Sequence, residues 1–178
     1  PGSKFFDLPG AFGANDAARW IDFEVEVVAS EGELRFGQTK EGSFGLRVPT
    51  SMDVDSKKGG VIINSEGLKD SAAWGKPAKW VDYSGPVGGE TLGIAIFNHP
   101  SSFRFPTTWH VRTYGLFAAN PFGGEDFKID PAAYGEYKLP AGAKLRLAYR
   151  VLFHKGDAAE GKVEQAFEEY AKTPLTLP

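Results

Sequence analysis

The sequence predicts an all-β fold, an antiparallel β-sandwich with one C-terminal helix. Composition is the first reason. With 22 Gly, 12 Pro and 13% aromatic residues against a single Met, it favours many strands joined by many turns. The second is a period of two in the apolar residues of two long segments, 20–29 and 144–154. The third is that apolar residues take helical spacing only near the end, at Val163, Ala166, Phe167 and Tyr170. A chain of 178 residues suits one domain. The sandwich is expected over 20–178, preceded by an irregular arm or linker over 1–19.

The first strand is expected at 20–29, where Trp20, Asp22, Glu24 and Glu26 alternate with Ile21, Phe23, Val25 and Val27. Such alternation gives one wet and one buried face. Short strands follow at 33–37, 44–48 and 61–64, separated by Gly- and Pro-rich turns. The segment 79–83 alternates again, and Ser84-Gly85-Pro86 with Gly88-Gly89 reads as a turn cluster. Residues 91–98 are apolar on both faces and read as a fully buried strand. An aromatic strand is expected over 109–118, a short one at 137–139, and the last at 144–154. The helix is expected over about 157–172. Asp157 caps it, Glu160 stands at capping-box spacing, Gly161 weakens its first turn and Pro174 ends it.

Several classes are excluded. Charge balances at 20 Lys+Arg against 23 Asp+Glu, with a pI of about 5.7, which argues against a nucleic-acid partner. No apolar run reaches the roughly 18 residues a membrane-spanning helix needs. The absence of cysteine removes disulfides, thiolate zinc sites and a Cys nucleophile. Neither a dinucleotide fingerprint, a phosphate loop nor a nucleophile elbow is present, so no cofactor and no metal is assigned.

The chemistry-bearing residues concentrate in two places. On the strand expected at 109–118, His110, Arg112 and Tyr114 share a face, combining donors, positive charge and an aromatic plate suited to a sugar or a carboxylated sugar. On the earlier strand Glu41, Ser43, Gly45 and Arg47 share a face, and a Glu41–Arg47 pair would orient a ligand or pin two strands. Glu41 is the best candidate for a general base. His99 stands 11 residues before His110 across a Pro-containing loop, and a hairpin there would let the rings approach. With Glu41 or Asp82 they would form a metal site or an acid–base pair. The candidate catalytic residues are therefore His110, Glu41, Arg112 and His99. Those for substrate binding are Tyr114, Arg47, Asn120 and Trp74, the last in a Gly-flanked loop. Trp80 and Trp109 read as core, and His154 as a strand-end structural residue.

Five stretches carry a further signal: 39–48 (TKEGSFGLRV), Trp74-Gly75-Lys76, 80–85 (WVDYSG), Asn98-His99-Pro100, and 109–123 (WHVRTYGLFAANPFG). In this order they resemble the bacterial methane oxygenase PmoA family, a group treated as a domain of unknown function, over about 21–170. The resemblance implies an all-β, carbohydrate-related protein and favours an extracytoplasmic location. It also implies that the chain corresponds to the C-terminal portion of longer members, whose histidine-rich N-terminal half would then be a further partner, alongside self-association. Gln38 departs from the family's Asp before the Thr-Lys-Glu-Gly stretch. Methane oxidation itself does not fit, because the sequence lacks spanning segments and dense His/carboxylate clusters. Two readings result. One is a mutarotase-like sugar enzyme performing acid–base epimerisation, hydrolysis or elimination. The other is a non-catalytic carbohydrate-binding or structural domain of a larger protein.

Overall fold

The computed structural model describes residues 12–14 and 18–176. It is an all-β antiparallel sandwich. The strands are β1 (Phe12–Ala14), β2 (Ala18–Val28), β3 (Leu34–Phe36), β4 (Phe44–Arg47), β5 (Val61–Asn64), β6 (Trp80–Val87), β7 (Glu90–Asn98), β8 (Trp109–Val111), β9 (Leu116–Ala119), β10 (Tyr137–Leu139) and β11 (Lys144–Lys155). Helices are α1 (Pro131–Tyr134) and α2 (Val163–Tyr170), with a 3-10 turn at Asp70–Ala73. The large sheet runs β1-β2-β11-β7-β6-β5; a three-stranded sheet, β4-β9-β8, packs on one face, and β3 pairs with β10.

The central strands explain this layering. β7 is apolar on both faces, and β11 adds Val151 to one side of it and Leu152 to the other, so the centre of the large sheet must be covered twice. On its inner face the register aligns Val81, Ile96, Val151 and Ile21 across four strands. Val81, Ile96 and Val151 pack, with Tyr83, Tyr149 and Leu147, against Trp109, Val111 and Phe117 of the small sheet. On the outer face Trp80, Ala95, Phe97 and Leu152 meet Val163, Phe167 and Tyr170 of α2. Trp80 and Trp109 are core residues, as their strand positions suggest.

The alternation in β2 is only partly honoured. Asp22 and Glu26 pair across the strands with Arg150 (2.6 Å) and with Lys144 (2.8 Å) and Arg146 (3.1 Å). On the opposite face Phe23 touches Phe44, yet Phe23 and Val25 stay 37% and 49% exposed. A three-stranded sheet is too narrow to roof six strands, so the expected buried face of β2 overhangs it.

Other boundaries shift for local reasons. β6 continues through Ser84-Gly85-Pro86 instead of turning there. A Cβ at Gly85 would lie 2.8 Å from Met52 Cα, so this glycine serves close backbone approach. Pro86 lies beyond the reach of β5, where no ladder bond is lost. The turn is Gly88-Gly89 alone, both at positive φ, as a two-residue hairpin requires. The expected strand 109–118 is a hairpin, broken at Gly115 (φ +92°). The capping box forms: Asp157 accepts from the amides of Ala159 (2.9 Å) and Glu160 (3.0 Å), and Glu160 accepts from the Asp157 amide (3.1 Å). Lys162 at φ +51° then interrupts the turn, so α2 begins only at Val163. In the expected N-terminal arm, 12–14 pair with β2, Ala18 and Arg19 belong to β2, and 1–11 and 15–17 lie outside the described residues.

A buried ion pair ties the outer layer together. His154 Nε2 lies 2.8 Å from Asp82 Oδ1, reaching diagonally from β11 to β6 over Gly93 of β7. Both side chains are almost fully enclosed. The His154 Nδ1–H donates to the Lys155 carbonyl (3.1 Å). Burial pushes Asp82 up from the usual carboxylate range against the pull of His154. Burial opposes the His154 cation, but the hydrogen bond and charge of Asp82 outweigh it and raise the imidazole above 6.5. Both groups therefore hold protons more tightly folded than free. The contribution of His154 is present below pH 6.5 and is lost as pH rises through its elevated value. A Cβ at Gly93 in the sheet, or at Gly161 in the loop before α2, would run into the His154 ring. Gly93→Ala is accordingly expected to displace His154 and cost about 3 kcal/mol. Thermal unfolding followed by circular dichroism should show a melting temperature lower by roughly 6–12 °C.

Candidate functional site

The outer face of the small sheet carries most of the predicted site. Strand register sets Gly45 opposite Ala118 and Ala118 opposite His110, with Arg47 opposite Leu116. Small residues along the middle leave a shallow trough of about 400 Å³, lined by Glu41, Ser43, Gly45, Arg47, Leu116 and Ala118. Gly45 is obligatory there, because a Cβ would stand 2.7 Å from that of Ala118.

One end of the trough is an aromatic–arginine cluster. The β8–β9 turn is closed by the Arg112 amide donating to Leu116 (2.7 Å) and the Gly115 amide to Arg112 (3.0 Å). Beneath it the Tyr83 hydroxyl donates to the Thr113 carbonyl (3.0 Å). Burial pushes the Tyr83 phenol up to about 12, which keeps it a donor. This turn holds Tyr114 out, 45% exposed. The Arg112 guanidinium lies 5.4 Å from the Tyr114 ring centre and 5.6 Å from that of Trp74, and Arg47 approaches Tyr114 at 5.7 Å. Trp74 arrives on the loop after the 3-10 turn, which Gly75 fastens to β8 through the Trp109 carbonyl (2.8 Å). Phe127 packs edge-on to Trp74 at 5.1 Å.

His110 sits behind this cluster. It is only 4% exposed, lying against Phe127, and its Nδ1 accepts from Trp74 Nε1 (3.2 Å). An accepting Nδ1 places the proton of the neutral ring on Nε2. Burial lowers the His110 pKa; Glu41 pulls the other way, while Arg112 and Lys40 add to the lowering. His110 therefore fixes the indole of Trp74, and its free nitrogen is a donor rather than a base.

The remaining predicted residues do not join the cluster. His99 does not approach His110: it packs on Tyr170 of α2, its Nδ1 accepts from the Ser101 amide (3.1 Å), and its Nε2–H donates to the Thr173 carbonyl (3.0 Å). The Asn120 side chain is consumed internally, donating to the Thr39 carbonyl (2.7 Å) and accepting from the Phe122 amide (2.9 Å). The expected Glu41–Arg47 pair does not form. They share a face, but Glu41 stands at the far end of the trough beside Lys40 (4.0 Å), exposed to solvent. Asp82 is engaged by His154. Among the described residues no three His or carboxylate side chains cluster to hold a metal ion. Sequence reasoning missed Phe127, whose loop has no periodicity, and Tyr83, which reads as an ordinary strand aromatic.

The sequence model of a family described as "Family of unknown function (DUF6807)" matches residues 10–168. The chain belongs to this family. The DUF6807 match takes in the whole trough, the aromatic–arginine cluster and the Asp82–His154 pair. No curated protein and no solved structure matches the chain.

The His110–Trp74 bond makes the cluster acid-sensitive. The folded pKa of His110 is depressed, so its contribution is present above pH 6.5 and is lost as pH falls through the lower folded value. Protonated Nδ1 cannot accept from the indole. Acidification below 6.5 should therefore change tryptophan emission, with the Trp74 component absent from Trp74→Phe and titration-free in His110→Gln.

Proposed function

We propose that the trough and its aromatic–arginine end bind carbohydrate. The observation that carries this reading is Arg112, held against both Trp74 and Tyr114. Two ring planes with a guanidinium beside them suit a sugar: C–H faces stack on the rings and hydroxyls take the N–H donors. Packing holds these groups in place before any ligand arrives, which lowers the ordering cost of binding. The resemblance of 109–123 to the PmoA-like family points to the same ligand class. Binding is favoured over acid–base turnover because the Nδ1 of His110 is occupied by Trp74 and Glu41 lies exposed beside Lys40.

An acid–base reading, epimerase-, hydrolase- or lyase-like, is favoured by one observation only: the charge of Glu41 is felt at His110. The two readings separate by calorimetry and product analysis over a panel of oligosaccharides. In the binding reading, Tyr114→Ala and Trp74→Ala each weaken affinity by about tenfold or more, roughly 1.4 kcal/mol. Tyr114→Ala should leave unfolding within about 0.5 kcal/mol. Unchanged affinity in both variants, or no binding to any sugar, would sink the proposal. Glu41→Gln is expected to leave affinity intact, whereas turnover that disappears in this variant would establish the enzyme reading.

A further inference from the structure

We infer that the carbohydrate taken by this face is anionic, its carboxylate or sulfate group held between Arg47 and Arg112 at the Tyr114 end of the trough; this rests on the carbohydrate reading above. The argument begins with how arginines are used elsewhere in the molecule. Arg35, Arg146 and Arg150 pair with carboxylates, while Arg104 donates to the carbonyls of Pro121 and Gly135 and Arg19 to that of Ala18. Arg47 and Arg112 differ. Among the described residues neither guanidinium pairs with a carboxylate or donates a hydrogen bond, and each is held only against aromatic rings.

Both reach the same ring. Arg47 is aligned with Leu116 on β9, and the Arg112 amide is bonded to the Leu116 carbonyl, so the two flank one position of the outer face. The acidic groups nearby do not neutralise them. The Asp53 carboxylate accepts from the Ser56 amide (2.6 Å), Glu41 is at the far end of the trough beside Lys40, and among the described residues neither Asp55 nor Asp126 forms an ion pair with either guanidinium. In a chain of formal charge −3, two uncompensated guanidiniums at one ring are not a by-product of general basicity. Their mutual repulsion is relieved by an anion between them. Each planar fork presents paired N–H donors suited to the oxygens of a carboxylate or sulfate. Ring contacts hold the forks without using those donors.

The test is calorimetric titration of the whole chain with a uronic-acid oligosaccharide, a sulfated one and their uncharged parent. At least one anionic sugar is expected to bind about tenfold tighter than the parent. That advantage should shrink at raised salt and vanish in Arg47→Gln and in the double variant with Arg112→Gln. Retention of the advantage by Arg47→Lys would show that charge suffices, and its loss that the fork is needed; both outcomes support an anion at this position. Equal affinity for anionic and neutral sugars overturns the inference and leaves the carbohydrate reading standing. An anionic preference that survives the double variant, shown folded by circular dichroism, overturns the assignment to these arginines. Binding of no sugar at all removes both.

Discussion

The large sheet is apolar on both faces at its centre, and that requirement organises the rest of the molecule. β7 and β11 carry Ile96 and Val151 toward one side and Phe97 and Leu152 toward the other. Water must be excluded from both sides. The small sheet does this within the sandwich, and α2, only eight residues long, does it outside. Because one cover is a narrow sheet and the other a short helix, each must be fixed in place by something besides apolar area. The edge they fail to reach is where Phe23 and Val25 stay partly exposed.

The outer cover is fixed by the Asp82–His154 pair, which uses two glycines to make room for a buried imidazole. Such a pair is poor evidence of net stabilisation, since removing two charged groups from water costs several kcal/mol per ion. Its effect is positional. The ring sits under Gly161, so the segment leading into α2 rests on the sheet in one arrangement. The inner cover is fixed from below at its turn by Tyr83, whose hydroxyl reaches across the core to the backbone of Thr113. The same bond that docks the small sheet therefore sets the posture of Arg112 and Tyr114. Core and candidate site are one construction here.

The site was partly legible because its residues cluster in two short stretches of the chain. Strand alternation alone brings Glu41, Gly45 and Arg47 to one face, and the same alternation sets His110 and Arg112 in one row. What alternation could not supply was the bend at Gly115, which moves Tyr114 from a strand row to an exposed turn. Nor could it supply the satisfaction of polar groups. His99 and Asn120 look available in sequence, but amides two residues on and the carbonyls of Thr173 and Thr39, distant in the chain, engage them. His110 looked like a base and proves to be the hydrogen-bond partner of an indole 36 residues away.

By itself the sequence determined the class of the fold, the positions of β2, β7 and β11, the capping box at Asp157 and the absence of cysteine chemistry. These follow from local spacing, and local spacing is what a chain carries without folding. Tertiary structure alone decided which faces were covered, because coverage depends on the relative widths of two sheets. It also decided which histidine was enclosed with a carboxylate, because Asp82 and His154 are 72 residues apart. Finally it decided that Arg47 and Arg112 would meet at Tyr114 with no carboxylate partner among the described residues, because charge compensation is a property of neighbours in space, and no periodicity along the chain encodes it.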